Sequence, residues 1–61
     1  QGVTILSSSS MEGDALSTTC LILGAEKGLS YIESLDEVEA LFILDNGEIR
    51  TTSGFPEYAL P

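Results

Sequence analysis

The chain has 61 residues, with ten acidic and two basic side chains, one cysteine and no histidine, so its net charge is −8. Such a charge repels nucleic-acid phosphates and anionic lipid headgroups, and we therefore expect no nucleic-acid partner and no direct membrane contact by this segment. The single cysteine excludes an internal disulfide, and the absence of histidine excludes a Cys/His zinc site.

The start of the chain predicts a fragment of a larger protein, because Gln1 leads directly into an apolar, strand-like segment. A chain of this size buries only about 60% of the surface that its unfolded form exposes, and no disulfide or zinc site adds to that small core. We expect residues 1–61 to be one segment whose strands join a sheet completed by missing upstream sequence. These residues do not reveal the compartment.

The first predicted elements are a strand over residues 2–7 and a helix that ends near residue 23. Ser9 and Glu12 have the S-x-x-E spacing of a capping box, which places the helix start there rather than a flexible linker. Gly24 is predicted to end the helix in a left-handed conformation. The apolar stripe consists of Leu16, Thr19, Cys20 and Leu23, flanked by Leu21 and Ile22. Because the helix is apolar nearly all round, we expect protein to pack against it on more than one side. Cys20 is predicted to be buried.

The remaining elements follow in the order helix, strand, strand. A second helix over residues 25–35 is amphipathic, and its apolar face consists of Ala25, Leu29, Ile32 and Leu35. Residues 40–44 form an unbroken apolar run that is typical of a strand covered on both faces. Asn46-Gly47 then predicts a two-residue hairpin into a return strand over residues 48–52 with one solvated face. The fold class is therefore α+β, in the order β-α-α-β-β, and the tail over residues 53–61 is expected to lie on a surface.

Familiar catalytic motifs are absent. The chain has no histidine for a triad, no phosphate loop, no dinucleotide-binding glycine motif and no C-x-x-C pair. The acidic residues between positions 33 and 48 lack the order of a calcium loop, so they are interpreted as a solvated face. The sequence identifies no catalytic base and no flavin-contacting residue.

Asp14 and Thr18 are the candidate metal ligands. Residues four apart on a helix have Cβ atoms about 5–6 Å apart, and both side chains offer hard oxygen atoms. Magnesium in phosphate chemistry is held by one or two protein oxygens and completed by phosphates and water. Gly13 would let a bulky ligand approach. The alternative is that the helix dipole favours the aspartate, the threonine hydroxyl bonds to the preceding turn, and the pair binds nothing.

The segment Gly13-Asp14-Ala15-Leu16-Ser17-Thr18, with the apolar helix to Leu23-Gly24 and the later hairpin, resembles the C-terminal segment of the ApbE family. The resemblance also includes Lys27-Gly28-Leu29, Val38-Glu39-Ala40-Leu41-Phe42-Ile43 and Thr52-Ser53-Gly54-Phe55. Gly13 departs from it, since the family usually has alanine there.

The resemblance implies a FAD:protein FMN transferase that uses magnesium at the pyrophosphate and moves FMN to a threonine of an acceptor flavoprotein, releasing AMP. It also implies that Asp14 and Thr18 hold the metal, and that the chain is inactive without upstream sequence. Periplasmic and membrane-anchored lipoproteins fit the family, and a cytoplasmic location stays open. The alternative function is a non-catalytic, acidic α/β module that recruits a protein partner.

Overall fold

A computed structural model describes residues 2–61, apart from the side chain of Ser10. The elements are the strand β1 (Gly2–Leu6), the helices α1 (Ser10–Leu23) and α2 (Ala25–Glu33), the strands β2 (Glu39–Ile43) and β3 (Ile49–Thr51), and a 3-10 helix (Glu57–Ala59). The predicted α+β class and its β-α-α-β-β order are confirmed, and the short helix in the tail was not predicted.

The three strands form one antiparallel sheet in the order β1-β2-β3, with β2 in the centre. Val3 pairs with Phe42 and Ile5 pairs with Ala40, and these four side chains face the helices. Because side chains alternate along a strand, the neighbouring residues of β2 point to the opposite face. There Ile43 pairs with Ile49, and their exposed fractions are 40% and 43%. The prediction that the strand is covered on both faces therefore holds for residues 40–42 and is wrong for Ile43.

The core lies between β2 and the two helices. Its buried members are Leu16, Cys20, Ile32, Val38, Ala40 and Phe42, and partly buried side chains of β1 and α2 pack against them. The apolar face predicted for the second helix is confirmed, although α2 ends at Glu33 rather than at residue 35. Cys20 is fully buried, as predicted, and burial raises the pKa of its thiol.

Ser9 caps α1. Its hydroxyl accepts a hydrogen bond from the Glu12 N–H at 3.3 Å, as the spacing of the two residues predicts. The Ser9 N–H instead donates to the Ser7 hydroxyl at 3.4 Å, so Ser7 takes the place that the glutamate side chain has in a capping box. The start of α1 is thus fixed by two serines from the run that precedes it.

Two glycines position α2 against α1 and the sheet. Gly24 has φ 85° and ψ 171°, so it ends α1 with a positive φ but not in the left-handed helical region that was predicted. A Cβ added to Gly28 would lie 2.6 Å from Phe42 Cζ and 3.4 Å from the Cα of Cys20. Glycine at position 28 therefore allows the close approach of α2 to both β2 and α1.

The hairpin between β2 and β3 differs from the predicted two-residue turn. Of the Asn46-Gly47 pair only Gly47 has a positive φ, of 88°. The Gly47 N–H donates to the Leu44 carbonyl at 2.9 Å, and the Leu44 N–H donates to the Glu48 carbonyl at 2.8 Å. This pattern is a three-residue loop, in which a turn is followed by a glycine bulge.

The chain after β3 is tied back to the start of β2. Thr52 follows directly after β3 and is 1% exposed, so the side chain of this last residue of the predicted return strand is buried. Its hydroxyl accepts from the Ala40 N–H at 3.0 Å and donates to Glu39 Oε1 at 2.5 Å. The tail from residue 53 includes the buried Phe55, whereas Tyr58 is 92% exposed.

Candidate functional site

A polar depression lies between β1 and the first half of α1. It has a volume of about 330 Å³ and is lined by Val3, Ile5, Ser7, Ser9, Gly13, Asp14 and Ser17. The apolar members come from the strand face that packs on the helices, and the polar members come from α1 and the segment before it. The depression therefore combines an apolar wall with hydroxyl groups and one carboxylate.

Asp14 provides the only carboxylate of this lining. It is exposed, and among the described side chains its carboxylate oxygens have no hydrogen-bond or ion-pair partner. An unpaired carboxylate on a rigid helix keeps both oxygens available for a cation. The role of Asp14 as a metal ligand stays a prediction.

Three consecutive hydroxyl groups, at positions 17–19 of α1, have different roles. Thr18 Oγ1 donates to the Asp14 carbonyl at 3.1 Å, and Thr19 Oγ1 donates to the Ala15 carbonyl at 3.0 Å. The Ser17 hydroxyl has no hydrogen-bond partner in the described chain, and it lines the depression. Thr18 is exposed beside the depression rather than in its lining. Sequence reasoning missed Ser17, because a serine next to a threonine gives no signal of which hydroxyl is free.

Gly13 has room for a side-chain methyl group. A Cβ added there would lie 3.7 Å from Ser7 Oγ and 4.0 Å from Ile5 Cγ2, which are ordinary contacts. No segment of the chain itself approaches Gly13 closely, and the expectation that Gly13 lets a bulky ligand approach stays a prediction. An alanine would fit as well, so the departure from the family's usual alanine has no steric consequence.

The chemistry of the donor set fits magnesium in part. Within residues 2–61, no three His, Cys, Asp or Glu side chains lie together as a metal site. Magnesium often takes only one or two carboxylates and completes its octahedron with phosphate and water. Asp14 with a neighbouring hydroxyl matches such a partial set, and it is too small to form a closed metal site.

The acidic residues between positions 33 and 48 are exposed except for Glu39, as the prediction of a solvated face requires, and several of them also make hydrogen bonds. Glu33 accepts from the Ser53 N–H at 2.9 Å and from the Ser53 hydroxyl at 3.0 Å. Glu48 pairs with Arg50 at 2.6 Å, and Glu39 accepts from Thr52. Glu33 and Glu39 therefore connect α2 and β2 to the chain that follows β3, whereas the exposed pair of Glu48 and Arg50 contributes little to stability.

Comparison with known proteins identifies the family of this chain. The fold and the site define an α+β segment with a polar depression between β1 and α1. Residues 1–42 match the sequence model of the ApbE family, and these residues include β1, α1, α2 and most of β2. The chain belongs to the ApbE family.

Two curated relatives are similar over most of the chain. A FAD:protein FMN transferase of Treponema pallidum (strain Nichols) is 36% identical over 52 residues, which cover 85% of this chain and 14% of that protein. A FAD:protein FMN transferase of Klebsiella pneumoniae (strain 342) is 33% identical over 51 residues, which cover 84% of this chain and 16% of that protein. The chain thus spans about a seventh of the length of these relatives.

No solved structure is significantly similar to the chain. Among the described residues, neither helix has the length and apolar character needed to cross a bilayer.

Proposed function

We propose that this chain is the metal-binding segment of a longer flavin transferase, in which Asp14 and Thr18 hold magnesium at the diphosphate of FAD. Membership of the ApbE family and the name shared by its two relatives support this assignment. The observation that carries it is the Asp14 carboxylate, which has no partner among the described side chains and lies in a depression built from residues that match the family.

The proposed reaction is protein flavinylation. The hydroxyl oxygen of a threonine in the acceptor flavoprotein attacks the phosphorus on the FMN side of the FAD diphosphate. A new P–O bond joins FMN to the threonine, the P–O bond to the AMP oxygen breaks, and the hydroxyl proton passes to a base. AMP is the leaving group. This chain has no histidine to serve as that base, and we assign the role to none of its residues.

Asp14 and Thr18 have complementary tasks in this proposal. Bound magnesium would neutralise the diphosphate and stabilise the charge that develops as its P–O bond breaks. Asp14 supplies an anionic oxygen. A carbonyl oxygen cannot donate, so the bond to the Asp14 carbonyl uses the proton of the Thr18 hydroxyl and leaves its lone pairs for a cation. The observed hydrogen bond is thus compatible with a metal ligand.

The remainder of the proposed transferase has to supply the flavin pocket and further metal ligands. The chain covers only 14% and 16% of the two relatives. Several apolar side chains on the outside of α1 and on the helix-free face of the sheet also stay exposed, among them Ile22 at 80%. We propose that residues 1–61 are the C-terminal part of the domain, that upstream sequence of the same protein covers these surfaces and extends the sheet, and that the isolated chain is inactive.

The test is a titration of FAD into the complete protein, followed by flavin fluorescence, with and without magnesium. The Asp14→Asn variant removes the charge and preserves the shape of the side chain. We expect magnesium to tighten FAD binding by the wild type, and we expect most of that gain to be lost in the variant, because a neutral amide is a poor magnesium ligand.

The matched control is Glu12→Gln, which removes one negative charge from the same helix outside the lining of the depression. It should retain the magnesium effect. Equal losses in both variants would mean that only the overall charge matters. FAD binding that responds neither to magnesium nor to Asp14→Asn would contradict the proposal and favour the non-catalytic interaction module.

A further inference from the structure

We infer that the free edge of β1 is the surface at which this segment joins the rest of its protein, and that it pairs with a strand of the upstream sequence. The opposite edge of the sheet, at β3, stays unpaired. The inference rests on the proposed function, because it takes the chain to be part of a longer transferase, and it names the edge and the backbone groups that extend the sheet.

Hydrogen bonds along β2 show which backbone groups of the sheet face outwards. The Leu44 N–H donates to the Glu48 carbonyl at 2.8 Å, and the Thr52 N–H donates to the Ala40 carbonyl at 3.0 Å. The N–H and C=O groups of successive residues point alternately to the two sides of an antiparallel strand. The even-numbered residues from 40 to 44 therefore bond towards β3, and the odd-numbered ones bond towards β1.

The two outer strands each have residues whose backbone groups point away from β2. On β1 these are Val3 and Ile5, which lie opposite even-numbered residues of β2. On β3 they are Ile49 and Thr51, which lie opposite odd-numbered residues. Within residues 2–61, no further strand lies beside either edge. A row of unpaired N–H and C=O groups is a template for the addition of another strand.

The two edges differ in the features that discourage pairing. The strand β3 has three residues, all exposed, its Arg50 is paired with Glu48, and it follows the glycine bulge at Gly47. Short length, charged side chains and bulges all hinder the addition of a strand. The strand β1 has five residues, with no charge, no proline and no bulge in its register with β2. Of the two edges, β1 is therefore the one suited to pairing.

The occupant we infer is a strand of the same protein rather than a second copy. The chain covers only 14% and 16% of its two relatives, so in a protein of that length most of the sequence that could supply a strand lies outside residues 1–61. A second copy would bring together two chains of net charge −8, and their repulsion disfavours association. A strand of the same protein also removes an edge that would otherwise promote aggregation.

The experiment measures hydrogen exchange at single amides of the complete protein, at several protein concentrations. After correction for intrinsic rates, we expect the amides of Val3 and Ile5 to exchange at least about a hundredfold more slowly than those of Ile49 and Thr51, because only the β1 amides would donate to a neighbouring strand. Fast exchange at all four amides, or slow exchange only on β3, would overturn the inference.

The same measurement distinguishes the occupants. Slow exchange at Val3 and Ile5 that is independent of concentration, in a protein of monomeric mass, supports a strand of the same chain. Protection that appears only as a dimer forms would assign the edge to a second copy. Protection that requires the acceptor flavoprotein would assign it to that partner. Either of the last two results would overturn the inference.

Proline substitution tests the edge through stability. Proline at position 3 removes an N–H that faces outwards and leaves the ladder between β1 and β2 intact. Val3→Pro should therefore lower the melting temperature of the complete protein further than Val3→Ala, which keeps the N–H. Thr51→Pro and Thr51→Ala are the matched pair on β3 and should melt at similar temperatures. If Val3→Pro does not fold, the exchange measurement on the wild-type protein decides the question.

Titration of FAD with and without magnesium separates this inference from the proposed function. Protected Val3 and Ile5 amides in a protein without magnesium-dependent FAD binding would support the pairing at β1 and contradict the metal site. Unprotected amides in a protein whose magnesium effect is lost in Asp14→Asn would contradict the pairing and leave the proposed metal site standing.

Discussion

The two helices differ in how much of their apolar surface this chain covers. On α2, Ile32 is buried and the side chains away from the sheet are mostly polar, such as Lys27 and Ser30. On α1, Leu16 and Cys20 are buried, but Leu21 and Ile22 remain 48% and 80% exposed. The apolar face of α2 is thus covered and its outer face is mostly polar, whereas α1 has more apolar side chains than the sheet and α2 can cover.

This difference shows which apolar surfaces the chain covers with its own residues. The core between α2, β2 and one side of α1 holds these elements together. Within residues 2–61, no segment covers the outer side of α1. The candidate site lies on the same helix, where Asp14 and Ser17 face the depression. The helix that carries the candidate site therefore also has the larger uncovered apolar surface.

The largest expected effect comes from Ile22→Ala. In the 61-residue chain this exposed position should change the free energy of unfolding by no more than about 0.5 kcal/mol. In the proposed longer protein, where upstream sequence covers α1, the loss should be about 2 kcal/mol or more. Urea denaturation of both proteins measures the difference. Lys27→Ala on α2 is the control, and equal small effects at position 22 in both proteins would mean that α1 stays uncovered.

The glycines of the two helices should respond in opposite directions to alanine. At Gly28 a Cβ would lie 2.6 Å from Phe42 Cζ, and the resulting strain of about 1–3 kcal/mol should outweigh the about 1 kcal/mol gained in helix propensity. At Gly13 the nearest atom would be 3.7 Å away, so only the stabilising propensity remains. Melting temperatures should fall for Gly28→Ala and rise for Gly13→Ala. A stabilised Gly28→Ala would contradict the close approach of α2 to the sheet.

A smaller effect is expected at the end of α2. Glu33 accepts two hydrogen bonds from Ser53, so α2 is tied to the tail. Glu33→Gln replaces one acceptor oxygen by a donor group, and we expect a loss of about 1 kcal/mol in the free energy of unfolding. Glu26→Gln, at an exposed position at the start of α2, is the control. The rate of hydrogen exchange at the Ser53 amide should increase only in Glu33→Gln. An unchanged rate would show that the hydrogen bonds to Glu33 do not order the tail.

The smallest effect concerns the covered side of α1. Burial raises the pKa of the Cys20 thiol, so the folded chain keeps this proton to higher pH than the unfolded chain does. Unfolding then releases a proton, and stability should fall as the pH rises above about 8.5, the ordinary thiol pKa. Urea unfolding at about pH 7 and about pH 10, on either side of that value, measures the fall. Cys20→Ala removes this contribution, and an identical pH dependence in the variant would show that the thiol does not cause it.

Local sequence patterns account for the order of the elements, the cap at Ser9, the amphipathic face of α2 and Asp14 as the candidate ligand. These features depend on residues close together in the chain, where helix periodicity and capping act locally. The motif around Asp14 is equally local, and its residues are sufficient to indicate the family.

Tertiary packing decides the features that depend on distant segments. Packing between elements brings Gly28 close to Phe42 and buries Thr52 against Glu39. It also places Ser17 in the lining of the depression. The same packing leaves Ile22 uncovered. Periodicity assigns a side chain to a face of its own helix, but burial depends on which other segment lies against that face, and no local pattern contains that information.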